Sequence, residues 1–166
     1  MQVRAEYTKL GMIRYISHLD LVRLFERAIE RAKIPVIYSE GFNPHPKFTL
    51  GNPLSLGVES QSEFMDIQVE DGYPLEEMKD RLNRELPQGV TIKEVFADFD
   101  KTAIQQRIQA CLYAFDLGDD KLDLAQAFKD LDKLMIQRRR KRGRKKILVE
   151  EDAYDLVEEI WQEGPI

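Results

Sequence analysis

The chain has 166 residues, of which 43% are hydrophobic and 33% are charged, and its formal net charge is −5. This length fits one domain or two small ones, and the apolar share excludes wholesale disorder. The single cysteine, Cys111, excludes an intrachain disulfide framework and a CxxC-type cluster site. No apolar run approaches the roughly 20 residues that span a bilayer, and the N-terminus lacks a signal-peptide core. We therefore expect a soluble, cytoplasmic protein without a membrane partner.

The first third of the chain predicts a strand, a long helix and an irregular loop. Apolar and polar residues alternate over residues 3–9, which indicates a half-buried strand. Ser17 is placed to cap a helix over residues 18–33, whose apolar side chains recur at helical spacing. A short strand is predicted over residues 35–39. The density of glycine and proline in residues 40–57 then indicates an ordered loop or irregular hairpin.

The following segment completes a βαββαβ order. Alternation returns in residues 64–70, and residues 75–86 have the apolar spacing of a helix that begins after Pro74. Residues 90–96 indicate another strand. This order is that of a ferredoxin-like unit, with both helices on one face of the sheet. Residues 97–106 have weak patterning and are predicted to be a connector.

The second half repeats most of this order. A strand is predicted over residues 108–117, a helix over 124–135, a hairpin over 136–149 and an amphipathic helix over 153–161. We therefore predict an α+β fold with two tandem ferredoxin-like (βαββαβ) units, the second of which lacks its last strand. The predicted domains are residues 1–99 and 107–166.

A basic run interrupts the acidic background. Every residue from 138 to 146 except Gly143 is basic. The rest of the chain contains 17 basic and 30 acidic residues. Clustered like charges repel one another and add little to the stability of a fold. They favour binding to a polyanion, because each phosphate that they neutralise releases a condensed counterion. The alternatives are a solvated charge run beside the acidic C-terminal segment, or a surface for an acidic protein. The predicted nucleic-acid-binding residues are Arg138, Arg139, Arg140, Lys141, Arg142, Arg144, Lys145 and Lys146.

The two histidines, His18 and His45, are the candidate catalytic residues. A metal site would need them to converge with Asp20 or Glu40, and no HxxxH pair enforces that geometry, so we predict neither a metal nor a cofactor. Metal-independent RNA cleavage would need only a base near a 2′-hydroxyl and a cationic or polar stabiliser. Lys47 or Tyr38 could supply the latter.

The loop over residues 40–57 is expected to lie against the start of the first helix. Four of its large apolar side chains together offer more surface than a free loop would expose. They are Phe42, Phe48, Leu50 and Leu54.

Residues 9–60 carry a family resemblance in two segments, SHLDL at the helix start and YSEGFNPHPK in the loop. Several such elements in fixed order resemble the radical-SAM-linked protein family, a bacterial domain of unknown function found beside or fused to radical SAM enzymes. The resemblance implies a radical SAM enzyme as partner. This chain has no CxxxCxxC triad and cannot hold that enzyme's cluster itself. The matching motif residues are Ser17, His18, Asp20, Tyr38, Gly41, Phe42, Asn43, His45 and Pro46.

The basic run and the resemblance together predict an accessory protein of a radical SAM enzyme that binds RNA. Two alternatives remain open at this point. One is a metal-independent endoribonuclease, and the other is a protein-interaction module without nucleic acid. The sequence favours the accessory binding protein over an enzyme, and it leaves the oligomeric state open.

Overall fold

The computed structural model describes residues 1–97, 100, 102–116, 118, 123–142 and 145–161, with the backbone alone for 141, 142 and 145. The chain divides into two compact units, Met1–Leu112 and Tyr113–Ile166. It is a mixed α+β protein with antiparallel sheets, and its described residues include four α-helices. None of the helices in this described part is long and apolar enough to cross a membrane.

The described residues of the first unit form four strands and three helices. In chain order its elements are β1 (Gln2–Lys9), a 3-10 turn (Gly11–Tyr15), α1 (His18–Ala32), β2 (Phe48–Leu50), β3 (Ser60–Gln68), α2 (Leu75–Glu85), β4 (Ile92–Phe96) and α3 (Ile104–Arg107). The strands form one antiparallel sheet in the order β2-β3-β1-β4. Apart from the 3-10 turn and the short helix α3, the elements have the βαββαβ order predicted for this part of the chain.

Both long helices pack on one face of this sheet, as predicted. The apolar stripe of α1 buries Leu21 and Phe25, and α2 buries Met78. These side chains join one core with the inward-facing residues of β1 and β3, such as Val3 and Ile67. Burial of a large apolar side chain contributes about 2 kcal/mol, so this shared core is the main source of stability in the unit.

The predicted strand over residues 35–39 was wrong. Only isolated bridges occur there, between Val36 and Val69 and between Tyr38 and Pro46. On the side of β3 away from β1, the strand that pairs with it is β2, inside the region predicted to be irregular. Because β2 occupies the edge of β3 from Met65 to Ile67, the earlier segment reaches β3 only at its last residue, where the Ile37 N–H donates to the Gln68 carbonyl at 2.8 Å.

The opposite face of the sheet carries a buried ion pair. The Arg4 guanidinium donates two hydrogen bonds to the Asp66 carboxylate, at 2.6 and 2.8 Å, and a third to the Thr102 carbonyl at 3.0 Å. Ile104 of α3 is also buried. The segment predicted to be a plain connector therefore contributes packing and a hydrogen bond to the first unit.

The second unit has one helix and one hairpin in its described part. They are α4 (Leu124–Lys129), β5 (Met135–Arg142) and β6 (Lys145–Asp152), followed by a 3-10 turn (Tyr154–Leu156). The hairpin was predicted, with its turn at Gly143, which lies outside the described residues. Its strands pair without a register shift, from Met135 opposite Asp152 to Arg142 opposite Lys145.

Three other predictions for the second half were wrong. Residues 108–116 form no strand, the helix that begins at Leu124 ends at Lys129, and only a 3-10 turn forms within residues 153–161. Among the described residues of this unit, Ala153 is the one hydrophobic side chain that is buried. Short amphipathic segments need a core to pack against, and the described residues of this unit bury no other hydrophobic side chain. A second ferredoxin-like unit is therefore not found in the described residues.

Candidate functional site

A cavity of about 490 Å³ lies between α1, β2 and α3 in the first unit. His18, Val22 and Glu26 line it from α1, because residues four apart share one face of a helix. We call it the α1–β2 cavity. Its other lining residues, from the loop before β2, from β2 and the segment after it, and from α3, are His45, Pro46, Phe48, Thr49, Leu50, Gly51, Asn52, Pro53 and Gln105.

The start of α1 positions His18. The Ser17 hydroxyl accepts a hydrogen bond from the Asp20 backbone N–H at 3.1 Å and donates one to the Asp20 carboxylate at 2.7 Å. Arg23 donates a further hydrogen bond to that carboxylate at 3.1 Å. The Ser17 hydroxyl, followed by Arg23, lowers the pKa of the Asp20 carboxyl. Ser17 and Asp20 therefore fix the first turn, and neither lines the cavity.

The loop over residues 39–46 is closed at its base and places His45 at the cavity. The Ser39 N–H donates to the His45 carbonyl at 2.8 Å, and the His45 N–H donates to the Ser39 hydroxyl at 3.0 Å. Gly41 has a φ of 126°, a conformation that favours glycine. These contacts hold the chain between Tyr38 and Pro46 in a narrow turn.

The structure divides the family-motif residues into two groups. His18, His45 and the buried Pro46 line the cavity. The others either cap α1 (Ser17, Asp20) or belong to the loop without lining the cavity (Tyr38, Gly41, Phe42, Asn43). Phe42 is fully exposed, so its predicted packing against α1 was wrong, whereas Phe48 and Leu50 do pack with the core.

Sequence reasoning missed the carboxylate that accompanies the histidines. Glu26 Oε1 lies 3.7 Å from His45 Nδ1, longer than a hydrogen bond, and the two groups form an ion pair only when the ring is protonated. The spacing of His18, Val22 and Glu26 was the available signal. Neither Asp20 nor Glu40 lines the cavity. No group of three histidine, cysteine or acidic side chains suited to a metal occurs in the described part of the chain.

The hairpin β5–β6 separates its charges along its length. In the five register pairs from Arg138↔Val149 to Arg142↔Lys145, no residue is acidic. The opposite end carries Glu150, Glu151 and Asp152. The basic run is therefore concentrated toward the turn, away from the three acidic residues.

The basic side chains on the two faces of the hairpin differ in whether a carboxylate lies close enough to neutralise their charge. On one face, Arg140 and Arg138 approach the same carboxylate, Glu151, at 2.9 and 3.8 Å. On the other face, no described carboxylate lies within ion-pair distance of the exposed Arg139 and Lys146. Of the remaining predicted residues, Arg144 and the side chains of Lys141, Arg142 and Lys145 lie outside what the structure describes.

Comparison with known protein families gives one match over nearly the whole chain. Residues 2–164 match a family described as an uncharacterized protein conserved in bacteria, DUF2344. The chain belongs to this family. The comparison with curated proteins gives no match. The cavity and the basic hairpin both lie within the residues that the DUF2344 family covers.

Proposed function

We propose that the chain binds the phosphodiester backbone of RNA through the hairpin β5–β6. The observation that carries this proposal is the segregation of charge along the hairpin, with a basic half near the turn and an acidic half at its base. Cationic side chains that contact phosphates release counterions, and a two-stranded ribbon is narrow enough to lie along a nucleic-acid strand. Neither strand contains an aromatic residue, which favours contact with the backbone over base stacking.

A triple variant tests this proposal. Arg138→Ala, Arg139→Ala and Arg140→Ala together remove three described cations. Fluorescence anisotropy with several unrelated single-stranded RNAs should show weaker binding to all of them, because backbone contacts carry no sequence information. The slope of log affinity against log salt concentration should fall by about 0.7 for each phosphate that the variant no longer neutralises.

A matched control removes the same charge from the first unit, with Lys79→Ala, Arg81→Ala and Arg84→Ala in α2. This control should bind RNA with nearly the wild-type salt slope. Equal weakening in both variants would indicate a non-specific charge effect. Unchanged RNA binding in the hairpin variant would refute the proposal, and loss of binding to polyglutamate alone would support the protein-interaction alternative.

We also propose that the chain acts in the bacterial cytoplasm as an accessory protein of a radical SAM enzyme. The SHLDL and YSEGFNPHPK motifs support this partner. The test is purification of the tagged native chain from its own cells under anaerobic conditions. Iron–sulfur absorbance in the purified material would come from a partner, because one cysteine cannot hold a cluster. Its absence, with no radical SAM enzyme in the eluate, would contradict the proposal.

The fold is part of the proposal. We infer that the first unit belongs to the ferredoxin-like class, and its βαββαβ order and its β2-β3-β1-β4 sheet support this. Folds of this kind carry unrelated functions, so the class adds nothing to the case for RNA.

A second candidate function is metal-independent RNA cleavage, and the shared cavity favours it. His18 and His45 line one cavity, and the Glu26 carboxylate lies 3.7 Å from His45 Nδ1. One imidazole would accept the proton of a 2′-hydroxyl, whose oxygen then bonds to phosphorus. The bond from phosphorus to the 5′-oxygen breaks, and the other imidazole gives that oxygen a proton. The products are a 2′,3′-cyclic phosphate and a 5′-hydroxyl.

A cleavage assay in chelator decides this second candidate. End-labelled RNA should yield cyclic-phosphate ends with the wild-type chain, and His18→Gln and His45→Gln should each abolish the product. The hairpin variant should retain the chemistry at saturating RNA. If the wild-type chain cleaves nothing, or if both histidine variants cleave like it, this function is refuted while RNA binding stands.

A further inference from the structure

We propose that the α1–β2 cavity binds a single unpaired nucleobase. The inference rests on the proposed function, because the base would belong to the RNA whose backbone the hairpin contacts. It assigns the cavity a role in recognition, which a backbone-binding hairpin cannot supply. Base binding at this site requires no cleavage step.

The size and walls of the cavity suit a heteroaromatic ring. Its volume, about 490 Å³, lies in the range of small-molecule sites, roughly 300–1,000 Å³. Val22, Pro46 and Phe48 present apolar surface to it from α1 and from the chain leading into β2. Flat rings bury well against such side chains, and proteins that recognise single-stranded RNA hold bases in this way.

Polar groups at the cavity are available to the edge of a base. The Gln105 side chain donates from Nε2 to the Leu50 carbonyl at 2.8 Å, which fixes the amide and leaves its oxygen as an acceptor. Within the described residues, neither the His18 nor the Asn52 side chain makes a hydrogen bond. An imidazole and two amides supply both donors and acceptors, which reading a base edge requires.

Charge favours a neutral base over a phosphate as the occupant, and so favours recognition over cleavage at this cavity. Glu26 lines the cavity and lies beside His45. An anionic ligand would meet this carboxylate, whereas a neutral base would not be repelled by it. The loop that carries His45 also presents the fully exposed Phe42, on which a neighbouring base can stack.

The two histidines make the cavity directly observable. The chain has only His18 and His45, and both line the cavity, so their Hε1 proton NMR signals report on it alone. Titration with AMP, GMP, CMP and UMP should shift both signals in a saturable way for at least one nucleotide. Ribose 5-phosphate, which carries sugar and phosphate without a base, should leave them in place.

Variants separate this site from the rest of the molecule. Gln105→Ala and Asn52→Ala should each weaken the best nucleotide by about threefold to tenfold, as expected for one neutral hydrogen bond. Arg27→Ala, exposed on α1 and outside the cavity, is the matched control and should bind like wild type. No shift with any nucleotide, or equal shifts with ribose 5-phosphate, would overturn the inference.

The outcomes also separate this inference from the proposed function. The hairpin triple variant should lose RNA affinity while its histidine signals respond to mononucleotide as in wild type. If the hairpin variant keeps full RNA affinity but mononucleotides still shift both signals, the backbone proposal fails and the base site stands. If the hairpin proposal holds and the signals never move, the base site fails alone.

Discussion

The buried pair between Arg4 and Asp66 gives a sharp test of how the outer face of the first sheet is stabilised. Their side chains are only 8% and 10% exposed, and two hydrogen bonds join them. The hydrogen bond with Asp66 is the main cause of the raised pKa of Arg4. Asp66→Asn keeps the shape of the side chain and removes the carboxylate charge that is hydrogen-bonded to the guanidinium.

We expect Asp66→Asn to lower the free energy of unfolding by about 3 kcal/mol. Breaking a buried ion pair costs about 3–5 kcal/mol, and the lower end applies because Arg4 keeps its bond to the Thr102 carbonyl. The matched control is Glu77→Gln, which breaks a half-exposed pair with Arg81. That variant should be destabilised by only about 0.5 kcal/mol.

Urea unfolding followed by far-UV circular dichroism measures this effect. The first unit contains the 15 residues of α1 and the 11 of α2, so the helical signal reports mainly on it. Trp161 lies in the second unit, and its fluorescence follows that unit separately. The double variant Arg4→Met with Asp66→Leu should recover most of the stability, because apolar residues replace the whole pair. Equal destabilisation by Asp66→Asn and Glu77→Gln would refute the reasoning.

Three further predictions concern the same unit. Burial raises the pKa of the Glu63 carboxyl above its ordinary value of 4.5, so the folded state is penalised when this group is ionised. Glu63→Gln should therefore increase the free energy of unfolding at neutral pH. Unfolding curves recorded below pH 4.5 should show no such gain, because the carboxyl is then protonated in both states. A gain that does not change with pH would contradict this. Ser17→Ala removes the N-cap hydrogen bond of α1 and should lower the free energy of unfolding, measured with urea, by about 1 kcal/mol. Ser55→Ala, at an exposed position, should change it little. Gly89→Ala should lower the melting temperature much more than Gly72→Ala. Both glycines have positive φ, but of the two only Gly89 lies where a Cβ would clash with a backbone oxygen, that of Leu10. Equal decreases in melting temperature would refute this clash.

Local pattern was enough to predict the elements that bury a continuous apolar face. The helix over residues 18–33 was predictable because a serine cap precedes a regular stripe, and α1 starts and ends within a residue of that prediction. The strands β1 and β3 followed from alternation in the same way. The strand β4 and the hairpin β5–β6 were also predicted, although the described residues of the hairpin strands include no buried side chain. Where the stripe had no core to join, as in residues 153–161, the same reasoning predicted a helix that does not form.

The sequence predicted only some of the residues that line the candidate site. His18 and His45 stood out as the two histidines, yet 26 residues separate them, and pattern could not show that they share a cavity. The helical spacing places Glu26 on the same face of α1 as His18, but no local pattern connects that face with His45. Gln105 follows all four strands of the first unit, in a segment without hydrophobic periodicity. No local sequence pattern therefore predicted its hydrogen bond to the Leu50 carbonyl.

The sequence by itself determined the two long helices and the strands β1, β3 and β4 of the first unit, because periodicity and capping act over a few neighbouring residues. It also determined the concentration of positive charge in residues 138–146, which is a property of composition. Only the tertiary structure decided that β2 takes the edge of β3, that α3 packs on the sheet, and that two histidines and Glu26 meet at one cavity. These outcomes depend on contacts between segments that are far apart in the sequence and that compete for the same surface. A pattern that extends over a few neighbouring residues cannot predict which segment makes the contact.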